Sequence, residues 1–166
     1  MNVLEKDATM DQKALIDQFE AGGAKLKAAI AGLTKEDLQA HPIPGTWSIQ
    51  EIVIHLQDSD AVAIDRMKRI IAEENPLVIG YDENKYVTNL FYAEQSAQDA
   101  AEQVDLSRRQ FARVLRRLGD SAWNRTGVHN ERGKMTLLEM LQLFTKHLEH
   151  HLKFAHDKRA KLGKAL

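Results

Sequence analysis

The sequence predicts an all-α protein, a four-helix bundle with a long crossover between helices two and three. Three observations carry that prediction. Apolar residues recur at helical spacing in four segments, two of those segments open on capping boxes, and no stretch shows strand-like alternation of any length. A chain of 166 residues fits one domain, residues 1–166, with a core of its own. At 43% hydrophobic and 28% charged, its composition is that of an ordinary globular protein.

The first helix is expected over about Thr9 to Ala31, with Leu15, Phe19, Leu26 and Ile30 at near-helical spacing. Gly22 and Gly23 weaken it by about 1 kcal/mol each relative to Ala, unless they admit a close neighbour. A helix-like turn follows at Thr34-Lys35-Glu36-Asp37, then the stretch His41-Pro42-Ile43-Pro44-Gly45. Ser48 with Glu51 marks the start of the second helix, and Trp47 can staple onto Ile52. Its core stripe is Ile49, Ile52, Val53, Leu56, Ala63, Met67 and Ile70, and Asn75-Pro76 stops it.

The third helix is expected from about Glu94 to Leu118, with Ala97, Ala101, Val104, Phe111, Val114 and Leu118 inward and Gly119 as the C′ residue. Thr136 with Glu139 opens the fourth, which runs to about Lys161 with Met135 and Met140 as its staple pair. Residues 75–93 join helices two and three over roughly 18 positions, too long for a tight antiparallel turn. A bundle with one long crossover accommodates that length.

Composition removes several function classes. The net charge of −1 leaves no basic footprint for nucleic acid, and no basic-aromatic stripe is present. With no cysteine there are no disulfides, thiolate nucleophiles or thiolate metal ligands, so a metal site has to use His, Asp, Glu and water. MNVLEKDATM lacks a signal-peptide apolar region and no apolar run reaches membrane-spanning length, so the expectation is a cytoplasmic protein without a membrane partner.

The most informative residues are His147 and His151. At i, i+4 on the last helix, their imidazoles reach toward one point. On a helical wheel, Leu137, Leu141, Phe144, Leu148, Leu152 and Ala155 centre the apolar face. His151 falls inside that face and His147 at its margin, while His150 and His156 lie toward the polar side. Burying imidazoles is costly unless their nitrogens find partners, and a divalent metal is a good one. His55, at the margin of the second helix's stripe, supplies a third imidazole. Three neutral imidazoles with an open position make a known catalytic zinc arrangement. Asp58, three residues on, can orient a ligand ring or donate an oxygen. His129, in the loop before the fourth helix, either lines a pocket mouth or is a plain surface-loop residue, and the second is the simpler reading. Arg108-Arg109 and Arg116-Arg117 read as a solvated face beside acidic neighbours. No HExxH, Glu-x-x-His pair, phosphate-binding loop, GxGxxG or GxSxG occurs, and nothing marks a serine nucleophile.

Three blocks then carry a family resemblance. Gly45-Thr46-Trp47-Ser48 through His55-Leu56-Gln57-Asp58-Ser59, Glu73-Glu74-Asn75-Pro76 followed by Gly80-Tyr81-Asp82-Glu83, and Thr136-Leu137-Leu138-Glu139 through His147-Leu148-Glu149-His150-His151 resemble the DinB superfamily and its YfiT-like metal-dependent hydrolases. The resemblance covers roughly residues 40–155. It implies up-down-down-up connectivity, His55, His147 and His151 as metal ligands, zinc or nickel as the ion, and frequent pairing as homodimers. Tyr86, where a Trp is usual, and Asp60, where relatives often carry a histidine, depart from the pattern without touching the trio.

The function expected is therefore metal-dependent hydrolysis of a small-molecule substrate, the metal lowering the pKa of bound water toward about 7. The alternatives are a metal-dependent thiol S-transferase, or a non-catalytic dimeric bundle with a structural metal. Glu74, Tyr81 and Asp82 of the crossover either close over the site or serve helix termination and turn chemistry, whereas Asn75 reads as helix termination.

Overall fold

The computed structural model describes the backbone of residues 3–166 and side chains from residue 12 onward. Four long helices form the bundle: α1 (Val3–Ile30), α3 (Ile49–Ala72), α5 (Ala97–Leu115) and α6 (Leu137–Lys161). Short helices α2 (Lys35–Gln39) and α4 (Glu83–Asn89) lie in the connections. α1 and α3 each pack against both α5 and α6, in up-down-down-up order.

The helix starts follow from local chemistry. Ser48 Oγ accepts from Glu51 N while the Glu51 carboxylate accepts from Ser48 N, and Thr136 and Glu139 repeat the arrangement on α6. Thr34 and Asp37 build a third capping box on α2. Trp47 packs with the Ile52 cluster, and Met135 with that of Met140, as the staples require. Two apolar clusters fill the bundle, one around Leu26, Val53, Val104 and Leu148, the other around Phe19, Met67, Phe111 and Leu141.

Gly22 and Gly23 sit where α5 crosses α1. A Cβ on Gly23 would stand 2.4 Å from the Asp105 backbone, and one on Gly22 2.5 Å from Arg108 Nη1. Their cost in helix propensity is offset by this close approach.

Three features differ from the sequence prediction. A three-stranded sheet is present: β1 (Leu77–Val78) pairs in parallel with β2 (Thr126–His129), which pairs antiparallel with β3 (Gly133–Thr136). Strands of two to four residues are too short to show alternation. α5 ends at Leu115, Val114 within its last turn is exposed rather than inward, and Gly119 (φ −76°) starts a 3-10 turn rather than closing the helix in a left-handed conformation. α3 ends at Ala72, with Asn75 (φ 46°) in the turn beyond, its Oδ1 accepting from Thr126 Oγ1 at 2.6 Å.

Arg108 overturns the reading of a solvated arginine face. It is fully buried and donates to Asp60 through Nε (2.5 Å) and Nη2 (2.8 Å), to Phe19 O through Nη1 (3.0 Å) and to Phe144 O through Nη2 (3.3 Å). Its guanidinium also covers the Phe19 ring, 4.4 Å from the centroid. One side chain thus ties all four long helices together.

Candidate metal centre

The sheet and the crossover bring distant segments over the middle of α3 and α6. Gln50 Nε2 donates to the carbonyls of Tyr92, Ala93 and Gln95, anchoring the crossover where it meets α5. Gly80 N donates to Asn130 Oδ1 (2.7 Å), fixing the segment after β1 against the β2–β3 turn. Tyr81 and α4 follow immediately and lie over His55.

His55, His147 and His151 each present a potential ligand atom, and all three atoms lie within 4.8 Å of one another. His55 Nε2 and His147 Nε2 are 3.2 Å apart. Zinc–nitrogen bonds of about 2.0–2.1 Å place two tetrahedral ligand nitrogens about 3.3 Å apart, so the pair matches one edge of such a site. His55 is buried; His147 and His151 are partly so. Trp47 packs on the trio, its ring stacked with His151 (6.2 Å between centroids) and 4.9 Å from His55.

Burial chiefly pushes the imidazoles below their ordinary pKa of 6.5, to about 3 for His55 and about 4 for His147 and His151. His151 and His147 add to the effect at His55, Arg108 and His150 at His147, and His147 and His150 at His151. The trio is therefore neutral at pH 7, the state that binds a metal. All three Nδ1 atoms are buried without a hydrogen-bond partner among the described residues. The convergent all-imidazole donor set fits a borderline divalent ion.

Around the trio stand groups the periodicity of the sequence did not mark. Glu83, at the start of α4, places Oε2 3.4 Å from His55 Nε2 with its side chain half exposed. Ser59 Oγ lies 3.4 Å from His55 Nε2 and 2.5 Å from Tyr81 Oη. Ser59 was available from its i+4 spacing to His55, but nothing periodic brings Glu83 over α3. Asp58 does not orient a ligand ring and is not in the convergent group: it accepts a hydrogen bond from Tyr92 Oη at 2.6 Å instead. Burial and that carboxylate both push the Tyr92 hydroxyl above its ordinary value.

Of the crossover residues, Tyr81 reaches the site, packed against Tyr86 with ring centroids 4.6 Å apart. Glu74 pairs with Arg125 (3.1 Å), and Asp82 caps α4 by accepting from Lys85 N (3.0 Å). His150 and His156 are exposed, as the wheel predicts. His129 is corrected: it is buried on β2, and its Nδ1 accepts from Glu131 N at 3.1 Å. The short strand turns its ring inward, which a loop assignment could not anticipate. Asp60 is the carboxylate that holds Arg108.

A helical bundle with three convergent imidazoles beneath a crossover defines a class, and the family comparison agrees: residues 18–155 match the DinB superfamily, to which this chain belongs. Within it, the chain resembles YfiT of Bacillus subtilis, named "Putative metal-dependent hydrolase YfiT", at 27% identity over 152 residues, 89% of this chain and 84% of that protein. A protein of Oceanobacillus iheyensis, also named as a "Putative metal-dependent hydrolase", is 27% identical over 137 residues, 82% of this chain and 79% of its own. The solved structure of YfiT, described as having an unusual four-helix bundle topology, superposes with a TM-score of 0.86 at 25% identity, covering 92% of this chain and 87% of that one. No helix among the described residues is long and apolar enough to cross a membrane.

Proposed function

We propose that this protein is a metal-dependent hydrolase of a small molecule, with the ion held by His55, His147 and His151. The observation that carries the reading is the convergence of three neutral imidazoles whose ligand atoms lie within 4.8 Å of one another, with His55 Nε2 and His147 Nε2 3.2 Å apart. A bound divalent ion supplies Lewis acidity and lowers the pKa of water toward about 7. Zinc and nickel both suit an all-imidazole set.

The protein's own groups supply the rest. Glu83 Oε2, beside His55 Nε2 and open to solvent, accepts a proton at the site and releases it to bulk water. Ser59 Oγ and Tyr81 Oη, joined by a hydrogen bond, present a donor to a developing negative charge on the substrate. Burial holds the Tyr81 phenol above its ordinary value, so it stays protonated and can donate at pH 7. Trp47 keeps water from one side of the rings. Asp58 and Tyr92 brace the wall by which α3 meets the crossover, making Asp58 a positioning residue.

The test is turnover of a panel of activated esters, amides and lactams by zinc- or nickel-loaded protein. Hydrolysis that disappears in His147→Ala and falls about 10²–10⁴-fold in Glu83→Gln supports the reading. A fully loaded protein that hydrolyses none of them, but joins a low-molecular-weight thiol to an electrophile, contradicts it.

A further inference from the structure

We propose that the substrate carries a carboxylate, and that the Arg66 guanidinium binds it in the cleft beside the histidine trio. This deepens the hydrolase reading and rests on it for the identity of the reacting end. The cleft, of about 220 Å³, has His147, Ser59, Tyr81, Glu83, Arg66 and His129 among its lining residues. It is smaller than the roughly 300–1,000 Å³ of sites for drug-sized ligands, so its occupant is small.

Arg66 is 6% exposed and makes no ion pair among the described residues. Its Nη2 donates to the Ile79 carbonyl, and its Nε, fully shielded from solvent, has no partner among the described residues. A buried guanidinium with a free donor is costly, and such groups are ordinarily paired with an anion. Arg108 shows what this fold does with a buried arginine that is only structural: it supplies Asp60 and two carbonyls.

Position supports the assignment. His55, Ser59 and Arg66 stand at i, i+4 and i+11 on α3, which places them within about 40° of one another around the axis. Arg66 lies roughly 16 Å along the helix from His55, and its side chain leans back toward the N-terminal end. The anionic group and the reacting bond are therefore several bonds apart. His129, which also lines the cleft, has its Nδ1 occupied as an acceptor, so its Nε2 carries the ring proton and is a second donor.

The charges facing Arg66 set the kind of anion. Arg132 adds a positive charge, whereas Glu131 and Glu83 add negative ones in the same cleft. Two fixed carboxylates disfavour a dianion, and the planar guanidinium fork suits a carboxylate. A monoanionic carboxylate satisfies Arg66 at a lower repulsive cost than a phosphate dianion.

The experiment titrates propionate, and separately inorganic phosphate, into full-length protein, both zinc-loaded and chelator-stripped. It follows the Arg66 Nε–H resonance and measures Kd for wild type, Arg66→Lys and Arg66→Gln. The expected result is a saturable shift of that resonance with propionate in both metal states. Kd rises at least tenfold in Arg66→Gln and less in Arg66→Lys, which keeps the charge but loses the fork. Propionate binding that needs the metal and leaves the Arg66 resonance unmoved overturns the proposal while the metal reading stands. Phosphate binding as tightly as propionate overturns the choice of carboxylate. Arg66-dependent propionate binding in a protein that takes up no metal supports the anion site and removes the hydrolase reading.

Discussion

Arg108 and the histidine trio lie on opposite sides of the same argument about burial. Arg108 and Asp60 are fully buried charges from α5 and α3, and nearly every donor of the guanidinium meets an oxygen or an aromatic face. Among the described residues, His55, His147 and His151 bury three Nδ1 atoms with no partner, and Arg66 a few turns away buries an unpaired Nε. A polar group that the fold satisfies itself belongs to the architecture. One that it leaves unsatisfied in a cleft is poised for something from outside.

Acid should separate the two regions most strongly. Unfolded histidines take up protons below about 6.5, but the folded trio does so only near 3 to 4. Between those values the unfolded state binds more protons, so metal-free protein loses stability as pH falls through the window, on the order of several kcal/mol by pH 4. Urea unfolding across pH 7 to 4 checks this. The His147→Ala/His151→Ala variant should give a flatter profile, and an equal slope would contradict the burial account.

Asp60→Ala tests the satisfied region. It leaves Arg108 charged and unpaired in the core, at a cost of about 3–5 kcal/mol in urea unfolding. Replacing both partners, Asp60→Leu with Arg108→Met, should cost less than Asp60→Ala alone, because no charge is stranded. Gly23→Ala comes next, at about 1–3 kcal/mol, since its Cβ would meet Asp105 backbone rather than a yielding side chain. Arg66→Met should change stability least, within about 1 kcal/mol and with a gain as acceptable as a loss, because it removes a charge that has no partner. A loss as large as that of Asp60→Ala would make Arg66 structural and erase the contrast.

The same contrast explains what the sequence could show. The long helices were legible because Ser48/Glu51 and Thr136/Glu139 are local signals and the apolar stripes between them are periodic. The trio was legible because His147 and His151 share a face and His55 borders a stripe. Arg108 was misassigned although its signal is present: it follows Val104 by four and precedes Phe111 by three, inside the apolar stripe, and Asp60 stands likewise between Leu56 and Ala63. Opposite charges within two facing stripes indicate a buried pair, whereas the neighbouring Arg109 suggested solvent. Glu83 and His129 were not legible because tertiary placement alone brings them to the cleft. α4 carries Glu83 over α3, and strands too short to announce themselves turn His129 inward.

The most direct test of the account is metal content by plasma mass spectrometry on untagged protein, for wild type and His147→Ala/His151→Ala. About one zinc or nickel per wild-type chain, absent from the variant, is the predicted result, with Asp60→Asn retaining its metal wherever it remains folded. Wild-type protein that holds no metal after reconstitution, or a variant that holds as much as wild type, would contradict the assignment of the trio as a metal centre.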